Sequence, residues 1–248
     1  CGSHHGFAVY AFALTYKTLQ VMVRPLKILI LGHGRMGTAV ANEAGLRGHH
    51  VEGLWGRKDM DAAVWPNVDV AVEFTLPESA PAVFSACRNQ QIPLVSGTTG
   101  WLDQFEAVQS AVCQAQHPMV WSPNYSVGVH LFRKALRHVS KTLEGNGFES
   151  RVSETHHTGK VDAPSGTALA IAKDIGSDER EVPIEAIRLP GVPGTHRAIW
   201  DGAVDVISVE HAAKDRSGFA RGAVLAAEWL AKHEGPFTKI FGMDDVWE

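Results

Sequence analysis

An uninterrupted apolar run, Lys27-Ile-Leu-Ile-Leu31, breaks into Gly32-x-Gly34-x-x-Gly37 and then into residues 38–46, which have helical composition. A strand buried on both faces reads as such a run rather than as an alternation. Gly48-His-His-Val-Glu-Gly-Leu-Trp55 returns as a second strand and closes a strand–helix–strand unit. In that context the glycine spacing is a phosphate loop. Its glycines allow a tight turn and close approach of backbone to a pyrophosphate, and the helix N-terminus offers unpaired N–H groups. Gly32, Gly34, Arg35, Met36 and Gly37 are therefore candidate nucleotide-binding residues. The motif alone carries little weight, since a chain with 24 Gly in 248 residues contains roughly 0.2 such matches by chance. Its position after a strand and before a helix carries the argument.

The alternation continues. Asp69-Val-Ala-Val-Glu-Phe-Thr75, Ile92-Pro-Leu-Val-Ser96 and Met119-Val-Trp121 read as further strands, with helices to about Asn89 and over residues 101–116 between them. Alternating strands and helices predict a Rossmann-type α/β fold, a doubly wound parallel sheet. Such sheets bind ligands beyond the carboxyl ends of their strands. Phe74 and Thr75, Gly97, Thr98 and Thr99, and Ser122, Pro123, Asn124 and Tyr125 all fall there, as candidate contacts to a nicotinamide and its ribose. Gly97 is read as permitting close backbone approach. At the end of the second strand an acid would select a ribose hydroxyl, and a base would accept a 2′-phosphate. The chain has Leu54-Trp-Gly-Arg57-Lys58 with no carboxylate before Asp59, so Arg57 and Lys58 favour NADPH over NADH.

Near residue 125 the pattern changes. Residues 127–143 form one amphipathic helix with Val127, Leu131, Ala135 and Val139 at helical spacing. Segments 148–154, 186–189, 195–200 and 204–209 read as strands, with a helix over 164–175. They predict a second α+β domain on an open mixed sheet. Residues 222–230 are so apolar that they must be buried, packed back on the first domain. The expected division is a nucleotide domain of 22–123 plus 217–248 and a substrate domain of 124–216. Residues 1–21 carry no clear signal sequence and are set aside as a non-native or disordered leader, with Met22 as the expected start.

The composition narrows the function. With 45% apolar residues and a formal charge of −4 the chain is neither disordered nor built to coat a nucleic acid. No apolar run reaches the roughly 20 residues of a membrane-spanning helix. Three cysteines, Cys1, Cys87 and Cys113, form neither a disulfide framework nor a CxxC metal site, which fits a reducing cytosol.

Histidine is abundant, 13 in all, and forms three adjacent pairs where roughly 0.6 are expected by chance. The pair at 4–5 lies in the leader, and the pair at 49–50, at the start of a strand, reads as surface. His156-His157 differs, because Lys160 and the helix start Pro164-Ser-Gly-Thr167 follow it. Ser165, Gly166 and Thr167 can present N–H groups and hydroxyls to an anion, Lys160 adds a cation, and one imidazole can donate a proton near neutral pH. That suits a small dicarboxylate protonated during reaction. No metal is expected at Glu154, His156 and His157, since neighbouring strand residues point to opposite faces.

These motifs resemble the 4-hydroxy-tetrahydrodipicolinate (dihydrodipicolinate) reductase family. The matching segments are Gly32 to Gly37, Glu73-Phe-Thr75, Gly97-Thr-Thr-Gly100, Ser122 to Val129, Glu154 to Ala168, Gly194-Thr-His196, His211-x-Ala213, Arg216 and Phe219-Ala-Arg-Gly-Ala223. The resemblance implies NAD(P)H-dependent reduction of the cyclic dicarboxylate in diaminopimelate and lysine biosynthesis. It implies His156 as proton donor with Lys160 beside it, His157, Gly166 and Thr167 as carboxylate binders, and a cytoplasmic homotetramer built through the central domain. The chain departs from the family in a short 56–68 connection and in lacking an acid at the end of the second strand. Two other readings stand beside this one: another two-domain NAD(P)-dependent dehydrogenase, and a non-catalytic NAD(P)-binding sensor. Neither gives the block from Glu154 to Thr167 a role.

Overall fold

A computed structural model describes residues 24–62, 64–177, 181–215 and 217–247. The expectation for residues 1–21, the start at Met22 and the match at Arg216 lie outside them. Five parallel strands form the first sheet: β1 (Lys27–Leu31), β2 (His50–Trp55), β3 (Val70–Glu73), β4 (Leu94–Ser96) and β5 (Met119–Trp121), in the order β2-β1-β3-β4-β5. The chain reverses direction across the sheet between β1 and β3, and the phosphate loop leaves β1 at that point. Side chains alternate across the sheet. Ile28, Ile30, Val70, Val72, Val95 and Val120 enter one core, with α1 (Arg35–Leu46) and α6 (Ser217–Leu230). Leu29, Leu31, Ala71, Leu94 and Met119 enter the other, with α2 (Ala80–Asn89) and α3 (Phe105–Gln114). Phe241 extends the sheet past β5, exchanging backbone hydrogen bonds of 2.9 Å with Trp121 and Met119.

The apolar α6 packs on this sheet and on α1, and Arg47, His49 and Glu228 pin it. Arg47 donates to both Glu228 oxygens at 2.8 and 2.9 Å. His49 Nδ1 accepts from the Leu26 N–H, so its Nε2 carries the proton that faces Glu228 at 2.8 Å. His49 is therefore buried, not a surface residue; its partner lies 179 positions away and no local pattern announces it.

The second sheet is mixed, in the order β7-β6-β8-β9, from β6 (Glu149–His156), β7 (Ile184–Arg188), β8 (Thr195–Asp201) and β9 (Val206–Ala212). Only the β6–β7 pairing is parallel. β6 runs two residues beyond its expected end, because β7 and β8 both pair with it there. α4 (Val127–Leu143) and α5 (Gly166–Ile175) cover one face, burying Phe132, Leu136, Ala168, Ile171 and Ile175 against Val152, Ala198 and Trp200. The buried stripe of α4 is thus Val129, Phe132 and Leu136, not the expected row, for Leu131 is 50% exposed. Among the described residues no helix is long and apolar enough to cross a membrane.

Candidate active site

The carboxyl ends of β1, β3, β4 and β5 lie side by side along one rim. The phosphate loop there is compressed inside and open outside. A Cβ on Gly37 would fall 1.7 Å from the Gly32 carbonyl oxygen, whereas one on Gly34 would meet nothing within 4 Å. α1 starts at Arg35 with no side-chain cap and no acid in its first turn, leaving its N–H groups to an anion. Arg35 is exposed and Met36 packs on the core. At the end of β2, Gly56 lies against the loop, where a Cβ would fall 2.7 Å from the His33 ring. The Asp59 carboxylate turns back to accept the Gly56 N–H at 2.8 Å. Arg57 and Lys58 remain exposed.

The next strand ends are organised by a residue absent from the candidate list. Glu73 is fully buried. Its Oε1 accepts from the Thr75 N–H at 2.6 Å, the Thr75 hydroxyl at 2.5 Å and the Thr98 hydroxyl at 2.6 Å, and its Oε2 from the Ser96 hydroxyl at 2.6 Å. The Thr98 carbonyl accepts from the indole N–H of both Trp101 and Trp121, each at 2.8 Å. Thr98 and Tyr125 thus spend their side chains on the fold: Thr98 Oγ1 also accepts from Thr75, and the Tyr125 hydroxyl donates to the Ser96 carbonyl at 2.7 Å. Gly97 makes room for Phe74, since a Cβ would fall 2.1 Å from its ring. The close approach made there is that of a side chain.

Between the two sheets lies a cleft of about 1180 Å³. Thr99, Ser122, Pro123 and Asn124 line it from the nucleotide side, and His156, His157, Lys160, Ser165, Gly166 and Thr167 from the other. Asn124 spans them, its Nδ2 donating to Thr167 Oγ1 at 3.1 Å. Ser165 caps α5 by accepting the Ala168 N–H at 3.1 Å, and Gly166 and Thr167, the first residues of the helix, line the cleft. Lys160 Nζ pairs with Asp162 at 2.7 Å. That contact, and a weaker one from the Gly166 N–H, hold the Asp162 carboxyl below its ordinary range. The phosphate loop, Arg57, Lys58, Phe74, Thr75, Gly97, Thr98 and Tyr125 do not line this cleft; they lie beneath it or along the rim.

The cleft wall on the second sheet is a row of ionisable side chains set by strand register. Glu154 of β6 stands opposite His196 of β8, which stands opposite His211 of β9. His156, two residues on, shares the face of Glu154 and pairs in register with Arg188 of β7. Glu154 Oε1 accepts from the Ser165 N–H at 2.9 Å and from Arg188 at 3.1 Å. Its Oε2 lies 3.1 Å from His156 Nδ1 and 3.7 Å from His196 Nε2. Burial, with the Lys160 and Arg188 charges, holds the His156 imidazole below its usual pKa against the opposing pull of Glu154. Burial, reinforced by His156, lowers His196 to about 4. The buried Glu154 carboxyl would rise, but hydrogen bonds from Ser165 and Arg188 bring it below the ordinary range. Glu154, His156 and His196 gather ligand-type atoms within 4.8 Å. The opposite-face argument does not reach this set, which joins two strands, and it does not part His156 from His157 either, since β6 ends at His156 and both residues line the cleft.

A phosphate loop on a doubly wound sheet, facing an imidazole, an ammonium and a helix start across a cleft, is the arrangement of a nicotinamide-nucleotide oxidoreductase. Sequence comparison narrows the class. Residues 26–125 and 128–247 match the family models described as the N-terminus and C-terminus of dihydrodipicolinate reductase. The chain belongs to the dihydrodipicolinate reductase family. It is 32% identical over 241 residues to a 4-hydroxy-tetrahydrodipicolinate reductase of Christiangramia forsetii, covering 90% of this chain and all of that one. It is 33% identical over 226 residues to one of Alkalilimnicola ehrlichii, covering 83% and 78%. A dipicolinate-bound dihydrodipicolinate reductase from Paenisporosarcina sp. TG-14 shares the fold, with TM-score 0.69 and 19% identity over 88% of this chain and 97% of that one.

Proposed function

We propose that this chain reduces 4-hydroxy-tetrahydrodipicolinate to tetrahydrodipicolinate with NADPH, the preferred nucleotide, or NADH, in diaminopimelate and lysine biosynthesis. The observation that carries the reading is the cleft, which sets the nucleotide rim opposite a cation, a helix N-terminus and a buried imidazole. An uncapped α1 and the open space over Gly34 fit a dinucleotide pyrophosphate. A reduced nicotinamide bound along the rim supplies a hydride. The protein's own part is to bind two carboxylates, exclude water and deliver a proton. Lys160, His157, Gly166 and Thr167 receive the carboxylates, with Asn124 holding Thr167 in register, while the buried Ser165, expected among these binders, instead gives its N–H to Glu154 and caps α5 with its hydroxyl. Lys160 must first release Asp162. His156, at the buried end of β6, donates the proton.

The basic Arg57 and Lys58, together with an Asp59 already engaged by backbone, support the NADPH preference. A homotetramer in the cytoplasm completes the proposal. The face of the second sheet away from α4 and α5 exposes Val206 among the pairs Arg151–Asp201 and Arg197–Glu210, a surface suited to self-association. The test mixes the condensation product of pyruvate and aspartate semialdehyde with the protein and NADPH. Oxidation of the nucleotide above background is expected. Nucleotide binding without oxidation would favour the sensor reading, and oxidation with a different carbonyl substrate the other dehydrogenase.

A further inference from the structure

The proton donor of this reaction sits in a pocket that disfavours its charged form, and the same strand carries the group that opposes this. We propose that Glu154 is the positioning residue of His156: its Oε2 holds the proton on His156 Nδ1 and faces the imidazolium, while Arg188 and the Ser165 N–H hold the carboxylate in place. The inference rests on His156 being the proton donor.

The two oxygens of Glu154 are unequal. Oε1 accepts from the Ser165 N–H at 2.9 Å and from Arg188 Nη2 at 3.1 Å. Oε2, in a side chain with no exposed surface, has no aligned donor, and His156 Nδ1, 3.1 Å away and also buried, has no aligned acceptor. Leaving both orphaned costs more than a small ring rotation that joins them. Their spacing of two residues on one strand face makes the pairing intrinsic to β6. With Nδ1–H turned to Glu154, Nε2 is the only nitrogen left for substrate. In the proton transfer the Nε2–H bond breaks as the substrate bond to hydrogen forms, and the electron pair stays on Nε2. Nδ1 keeps its proton and Glu154 stays ionised throughout.

Every packed element contributes to the charge around this ring. Glu154 of β6 favours the imidazolium; Arg188 of β7 and Lys160 of the following loop oppose it, and Asp162 partly offsets Lys160. His196 of β8 is neutral near pH 7, as is its neighbour His211 of β9. Glu154 is thus the nearest anion, and Gln in its place keeps the shape without the charge. Arg188 already balances that charge, so the cluster needs no ion to be satisfied.

The test compares Glu154→Gln and Glu154→Asp with the wild type. Glu154→Gln should lower kcat roughly tenfold to a hundredfold, with KM for the dicarboxylate and for NADPH changing less than about threefold. Because activity requires protonated His156, the alkaline limb of its pH profile should move to lower pH; Glu154→Asp should restore part of both effects. A merely structural role would lower the melting temperature and leave the profile of the folded fraction unmoved, which would overturn the proposal. An independent measurement needs no active variant. In ¹⁵N-histidine spectra of the wild type, assigned against His156→Asn, neutral His156 should carry its proton on Nδ1. An Nε2–H tautomer, or wild-type activity altered by a chelator, would refute the arrangement even where reductase activity is established. A protein with the Nδ1–H tautomer and no reductase activity would instead sink the functional reading.

Discussion

Glu73 offers the sharpest test of how the cofactor rim is held. It is a buried carboxylate whose charge is felt around it: burial, with Glu73 adding to it, pushes the Cys87 thiol up to about 12. Among the described residues it makes no ion pair, so hydroxyl and amide donors alone stabilise it. Glu73→Ala would leave the buried hydroxyls of Ser96 and Thr98 without their acceptor; the Thr75 N–H keeps Thr98 Oγ1, and its half-buried hydroxyl can reach water. Two orphaned buried groups at about 1–3 kcal/mol each, with a cavity beside them, give a loss of roughly 3–6 kcal/mol. Glu73→Gln keeps an acceptor for the three donors on Oε1 but removes the charge that strengthens them, and turns an amide toward Ser96. The relief of burying a neutral group offsets part of that, leaving a loss of about 1–3 kcal/mol. For a chain of this size that is roughly 2–12 °C in melting temperature for Gln, and about twice that for Ala. Because the same bonds fix residues 74–75 and 97–99, KM for the nicotinamide nucleotide should rise in Glu73→Gln while KM for the dicarboxylate stays near wild type. Thermal melts with and without NADPH, followed by steady-state kinetics, read both. A Glu73→Gln protein as stable as wild type, or a rise confined to the dicarboxylate KM, would refute the reasoning.

Other outcomes follow from single contacts. Arg57→Ala should weaken NADPH binding roughly tenfold, the worth of one charge-assisted hydrogen bond, and leave NADH unchanged in competitive titration. Glu228→Gln should cost about 2–3 kcal/mol by leaving the half-buried Arg47 unpaired, read as a lower melting temperature at pH 7. Burial raises the Glu228 carboxyl, but Arg47 and His49 together carry it below its ordinary value. Its contribution is therefore present above the ordinary glutamate range and lost as pH falls through the lowered pKa, so the two melting curves should converge in acid. Asp162→Ala should tighten binding of a dicarboxylate between about 1.5-fold and 5-fold by freeing Lys160 from an exposed pair, measured by calorimetry with dipicolinate.

What was legible in the sequence was local, and what escaped it depended on register. The phosphate loop could be read because its strand, its glycines and its helix follow one another within residues 27–46. The helix covering residues 222–230 could be read because a segment so apolar has only one place to go. Glu73 escaped although a signal was present: a lone acid ending a strand buried on both faces cannot reach water, so it must be a hub of donors or a site. His49 and Glu228, and likewise Glu154 with Arg188 and His196, meet across 34 to 179 positions: the docking of α6 decides the first meeting and strand order the others. Strand alternation does not part His156 from His157, because β6 ends at His156 and both line the cleft, but two residues back it puts Glu154 on the face of His156. The chemistry of the block therefore rests less on its adjacent histidines than on the two-residue spacing that carries an acid and an imidazole into one cleft.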